Sequence, residues 1–196
     1  MRFEVDSMRA RVAMYRPAPL DVRQLAGTFR VGPDSIWSSR VDFALPHSRG
    51  SGTLSIQGAT GNIHAAVEVA QFAFADLQPL YAALPDSGGG RLSVVVAVRD
   101  SMPSDYAVTD ADLSIGTTTL RGHIALTVGD SLVRFRDTRL EFDGLRSELV
   151  TRFVPSVDMP FSGAVSGTAV LSGALEAMQV DIRAQVRPDR YANFAV

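Results

Sequence analysis

The chain has no cysteine and no lysine. Without thiols there is no disulfide, no thiolate nucleophile and no cysteine-based zinc or iron–sulfur site, while the compartment stays open, because absent cysteine suits a reducing and an oxidising one equally. All 19 basic residues are arginines, scattered among 21 acidic ones, and the formal net charge is -2. Such a balance gives no field to attract a polyanion, so nucleic acid is not an expected partner. Apolar runs are short: none approaches the roughly 18 uninterrupted residues of a spanning helix. The opening Met1-Arg2-Phe3-Glu4-Val5-Asp6 alternates apolar and charged residues and is neither a signal peptide nor an anchor. An exported protein would carry its signal outside this chain.

What is abundant is alternation. With 46% hydrophobic and 20% charged residues over 196 positions, the chain can bury a sizeable core. From Met178 to Val186, Met178, Val180, Ile182, Ala184 and Val186 take one parity and Gln179, Asp181, Arg183 and Gln185 the other. Successive strand side chains point to opposite faces, so this segment has one dry and one wet side. Ile63, Ala65, Val67 and Val69 oppose Asn62, His64 and Glu68. Leu120, Ile124, Leu126 and Val128 oppose Arg121, His123 and Thr127, and Thr138, Leu140 and Phe142 oppose Arg139, Glu141 and Asp143. With Val41-Phe43-Leu45, Leu54-Ile56, Leu92-Val94-Val96-Val98 and Leu113-Ile115, the expectation is about ten strands. Reversals are expected at 58–62, Gly116, Gly129-Asp130, Asp143-Gly144 and Ser172-Gly173, and such short connections favour an antiparallel meander. Two segments read as helix: Leu77–Leu84, capped by Asp76, and Glu148–Phe153, capped by Ser147 and ended by Pro155.

A loose repeat accompanies these elements. Leu84-Pro85-Asp86-Ser87-Gly88-Gly89-Gly90 parallels Val154-Pro155-Ser156 continuing to Pro160-Phe161-Ser162-Gly163, and Leu45-Pro46-His47-Ser48-Arg49-Gly50 is a copy without a helix. The spacing divides residues 1–196, one elongated β-rich segment of a longer chain, into units of about 20–75, 76–146 and 147–196. In the last unit Gly163, Val165, Gly167, Ala169, Leu171, Gly173 and Leu175 share a parity, and glycines at intervals let a sheet bend.

A short helix ending in Leu-Pro, a run of Gly-x-Val-x-Gly-x-Ala-x-Leu-x-Gly-x-Leu and then an alternating strand resembles the AsmA-like and TamB-like envelope proteins of Gram-negative bacteria, over residues 20–187. The resemblance implies a mainly all-β fold: a long curled antiparallel sheet forming an open trough, a β-taco, with two short helices. It further implies a periplasmic location and phospholipid transport between inner and outer membrane, or outer-membrane assembly, with phospholipid acyl chains and assembly proteins as partners. The chain lacks the inner-membrane anchor and the conserved C-terminal domain of that family, so the resemblance places it as an internal stretch of trough. The apolar row expected to hold acyl chains comprises Val67, Val94, Val96, Ile115, Leu126, Leu140 and Val180. The alternative fold is a β-sandwich, closed around a dry core, or a solenoid, serving adhesion or carbohydrate binding through Trp37, Tyr106 and Tyr191.

No catalytic residues are nominated and no cofactor or metal is expected. Ser166-Gly167 and Ser172-Gly173 lack the strand–elbow–helix setting of a nucleophile. His47, His64 and His123 fall in a turn and on two polar strand faces, without ligand spacing, and read as solvated. Asp100, Asp105, Asp110 and Asp112 form the one acidic cluster, with Asp110 and Asp112 on a common face; this reads as a solvated hairpin tip in preference to a calcium site. Gly88-Gly89-Gly90 precedes a strand and no lysine, so it is a turn and not a phosphate cradle.

Overall fold

The computed structural model describes residues 1–12, 20–79, 84–99, 102–129, 133–153 and 161–191. Eleven strands follow one another: β1 (Arg2–Val12), β2 (Leu20–Val31), β3 (Ser35–Ala44), β4 (Arg49–Gln57), β5 (Asn62–Ala73), β6 (Gly89–Arg99), β7 (Met102–Ile115), β8 (Thr118–Val128), β9 (Val133–Arg146), β10 (Phe161–Ala174) and β11 (Gln179–Tyr191). They make one antiparallel sheet in which spatial order equals chain order, β1 to β11. The ladder ends at β1 on one side and β11 on the other without closing into a barrel. The sandwich alternative is thereby corrected: the strands do not divide into two facing sheets, and each packs chiefly on its chain neighbours.

The faces follow the alternation. Val67 pairs with Val94, Val94 with Val108 and Val108 with Ile124. Because antiparallel partners share a face, an apolar row continues from strand to strand. Along β9, inward Phe135, Leu140 and Phe142 are buried or half-buried while Arg134, Arg136, Arg139 and Glu141 are exposed. A flat single layer would expose both faces alike; the asymmetry is that of an open sheet curled around its apolar side. The curl comes from bulges, where an extra residue bends its strand. Every one of the strand pairs is interrupted by at least one register shift, so the bending is distributed along the whole sheet.

Two expected reversals are instead such irregularities within strands. Asp143-Gly144 lies within β9, opposite the step from Val165 to Gly167, with Gly144 at φ 62. Ser172-Gly173 lies within β10, and the chain turns just beyond it through a 3-10 turn, Leu175–Ala177. Gly116 does reverse the chain between β7 and β8, as does 58–61 between β4 and β5. Gly129 follows β8 directly, and Asp130 lies outside the described residues.

In a meander every connection from an odd to an even strand lies at one rim. The connections from β3 to β4, from β5 to β6 and from β9 to β10 all share it, so the repeat copies precede β4, β6 and β10 at the same rim; Val154, Pro155 and Pro160 of the last copy lie outside the described residues. The second expected helix is α1 (Ser147–Phe153); Pro155 is outside the described residues. The first is a 3-10 turn at Phe74–Asp76 followed by turn through Pro79, and 80–83 lie outside the described residues. Phe74 folds from this insertion over the apolar face. It packs with Ala111 and Leu113 into the densest cluster, flanked by Phe72, Leu84, Leu92, Val108, Ile115 and Leu120.

Candidate functional site: the uncovered apolar face

The seven residues expected to hold acyl chains all lie on the curled-in face. Val67 and Val94 are direct partners. Val96 faces Ala65 and Tyr106, Tyr106 faces Leu126, and Leu126 faces Phe135, which makes the adjacent row. Leu140 stands between Gly122 and Ala169, and Val180 faces Leu171. Five of the seven, Val67, Val94, Val96, Leu126 and Leu140, form a half-buried floor across β5 to β9. The other two differ in setting. Ile115 packs against the cluster of Phe74, Ala111 and Leu113, and Val180 on β11 is 46% exposed.

The floor is chemically uniform. Tyr106, a residue considered for sugar stacking, lies on it among valines and Leu126. Among the described residues no group of three or more His, Asp or Glu converges as for a metal ion. Polar side chains reach this face where bulges leave backbone groups without a ladder partner. Thr138 is 1% exposed; its hydroxyl accepts from the Ala125 N–H at 3.1 Å and donates to the Ala125 carbonyl at 3.2 Å. The Ser38 hydroxyl, with one proton to give, lies within hydrogen-bond reach of the carbonyls of both Thr28 and Arg40 at the β2–β3 bulge. Ser48 accepts from Ala73 N–H and Ser147 from Gly163 N–H, each near the rim. These hydroxyls satisfy buried backbone groups internally, so the inward face stays apolar. Alternation places Thr138 on the apolar face with Leu140 and Phe142, but the backbone partners of these hydroxyls carry no signal in the sequence.

The opposite face carries the charges, sorted into ion pairs. The acidic cluster does not converge. Asp105 accepts from the Thr127 hydroxyl at 2.8 Å and pairs with Arg136 at 2.9 Å and Arg99 at 3.1 Å. Those contacts hold its carboxyl below the ordinary range, the Thr127 hydrogen bond foremost, against an opposing push from burial. Asp112 pairs instead with Arg121 and Arg91, and its carboxyl is lowered first by the Arg121 hydrogen bond. Asp110 sits in the β7 bulge at φ 51, which breaks the alternation that would have set it beside Asp112. Asp100 lies outside the described residues.

The histidines stay apart. His64 is exposed on β5. His123 is half-buried, contrary to a solvated reading: its Nε2 is shielded from water, 3.4 Å from Asp137 Oδ1 without a hydrogen bond. His47 is tied to Asp76. The expected cap role of Asp76 gives way to a rim clamp, in which its carboxylate, 1% exposed, accepts the His47 backbone N–H at 3.1 Å and lies 2.9 Å from ring Nδ1. Trp37 is on the charged face, 41% exposed, with the Arg30 guanidinium stacked 4.6 Å over its ring. Tyr191 ends β11, its side chain outside the described residues.

No family model, no curated protein and no solved structure matches the chain.

Proposed function

We propose that this chain is a non-catalytic segment of a periplasmic, AsmA/TamB-like protein whose trough holds phospholipid acyl chains, in lipid transport between the two membranes or in outer-membrane assembly. One observation carries the reading: an apolar floor runs across successive strands of a single open sheet, and among the described residues no second sheet covers it. Contiguous apolar surface of that kind is costly to leave in water, and a bound hydrocarbon offsets the cost. Each methylene moved from water onto the floor contributes about 0.8 kcal/mol, so a passive groove needs no cofactor. The charged outer face, with its cross-strand ion pairs, is suited to water while the inner face is suited to lipid. Phe74 and Leu84 pack over one region of the floor, beside Ala111 and Leu113, and would set where a chain stops.

The test is lipid retention. Purified from an envelope-containing host and extracted for mass spectrometry, the protein is expected to carry phospholipid, and V96D with L126D to abolish it while circular dichroism keeps its strand signal. A lipid-free wild-type protein with an intact sheet overturns the reading.

A further inference from the structure

The hydroxyls on the curled-in face are of two kinds. Those of Thr118 and Thr138 donate to the backbone carbonyls of Gly144 and Ala125, and Ser48 accepts the Ala73 N–H. Tyr106 and Ser104, on β7, are different. Both are half-buried on the same face, Tyr106 opposite Val96 and Leu126 and Ser104 opposite Val128. Among the described residues neither hydroxyl has a hydrogen-bond partner.

On an open face water satisfies a phenol. A hydrocarbon chain laid over Tyr106 removes that water, and a donor covered by methylenes and left unmet is costly. Whatever lies across Tyr106 must therefore bring an acceptor to it. A plain hydrocarbon has none, whereas an acyl ester carries a carbonyl oxygen where its chain begins.

The floor also sets a length. From Tyr106 toward the β7–β8 turn the inward residues of β7 are Val108, Ala111, Leu113 and Ile115, and Phe74 and Leu84 pack there beside Ala111 and Leu113. At ~3.3 Å per residue, with the extra residue of the Asp110 bulge discounted, Ala111 lies about 13 Å and Leu113 about 20 Å along the strand from Tyr106. One leaflet, half of a hydrocarbon core about 30 Å thick, holds chains about 15 Å deep. An acyl chain that begins at Tyr106 thus ends beside Phe74. Toward the opposite rim Ser104 adds a second unengaged hydroxyl, on the side where a headgroup would emerge.

Resting on the reading of this face as a lipid groove, we propose that Tyr106 is its specificity-determining residue. Its hydroxyl donates to the ester carbonyl of an acyl lipid, which lies along β7 with its terminal methyl against the Phe74 cluster and its headgroup toward the rim at Ser104.

The test is a competition between a diacyl phosphatidylethanolamine and its dialkyl ether analogue, which lacks both ester carbonyls. Offered as an equal mixture in vesicles and extracted from the repurified protein for mass spectrometry, the diester is expected in about fivefold excess, the worth of one net hydrogen bond. Tyr106→Phe, which keeps the ring, should bring the ratio near one with lipid still bound. Orientation is read by NMR on the unaltered chain. A nitroxide at the chain end should broaden the amide signals of Ala111 and Leu113, and one beside the ester those of Ser104 and Tyr106. Equal retention of diester and diether by the wild type, an unchanged preference in Y106F, or the reversed broadening pattern overturns the role of Tyr106 and leaves the groove standing. Retention of neither lipid overturns the groove reading and this inference with it.

Discussion

Asp105 holds three partners with one carboxylate, and that arrangement makes its contribution depend on pH in a determinate direction. The Thr127 hydroxyl, Arg136 and Arg99 all favour the charged form, so the folded-state pKa lies below the ordinary 3.8. A carboxyl lowered on folding stabilises the fold above its ordinary value, and the contribution is lost as the pH falls through the folded value. Asp105→Asn should therefore cost about 1 kcal/mol in urea unfolding at pH 7, a modest figure because the ion pairs are half-exposed. The gap from wild type should shrink toward zero as the pH drops below 3.8. Thr127→Val, which removes the leading cause, should raise the Asp105 pKa in an NMR titration; an unchanged value would assign the shift to the arginines. At the rim Asp76 makes a different prediction. Its buried carboxylate holds the His47 N–H, and Asp76→Ala should cost about 2 kcal/mol by thermal unfolding, whereas His47→Ala, which keeps that backbone bond, should cost less.

Among the elements, the bulges decide the shape, and they test the glycines. Gly122 has φ 136, and a Cβ there would overlap the Arg139 carbonyl oxygen on the neighbouring strand. Gly116, in the β7–β8 turn, also has positive φ, 59, yet a Cβ there meets nothing within 4 Å. Both alanine variants bear backbone strain, but only Gly122→Ala must also push β8 and β9 away from each other. Its denaturation midpoint should imply a loss of about 3 kcal/mol, against about 1 kcal/mol for Gly116→Ala. Equal losses would mean that strain alone is at issue. The same positions show why much of the fold was legible beforehand. Period-2 alternation locates β3 to β6 and β8 to β11 and their faces, because a half-buried strand has little choice of pattern; of β7 it finds only Leu113-Ile115, since the acidic stretch that reads as a hairpin tip lies within the strand. Asp143-Gly144 was read as a reversal because a left-handed glycine serves a hairpin turn and a bulge equally well; only the partner strand, where Ser166 accepts the Gly144 N–H and donates to Asp143, distinguishes them. The apolar floor was legible for the same reason as the strands, and so was the inward place of Thr138, whereas the hydrogen bonds of the buried hydroxyls of Ser38, Ser48 and Thr138 were not. Their partners are backbone groups freed by bulges, and no local pattern announces those.

At the scale of the whole molecule, a sheet in which each strand leans on its chain neighbours behaves as a one-dimensional array. Stability in such an array is a sum of local and nearest-neighbour terms, so the middle is held from both sides and the ends from one. The burial follows suit. The cluster of Phe74, Ala111 and Leu113 sits across β5 to β8, while every described side chain of β11 is exposed. Amide hydrogen exchange should therefore be graded: slowest in β6 to β8, faster by an order of magnitude or more in β1, and fastest in β11. Removing residues 179–196 should leave the protection of β5 to β8 within about threefold of its original value, because β11 pairs with none of those strands. In a closed sandwich the same deletion would strip one wall from a shared core and lower protection throughout. Uniform loss across all strands would show that the sheet is one cooperative unit, its curl coupling distant strands through the apolar face; graded loss would show that each strand is held by its neighbours alone.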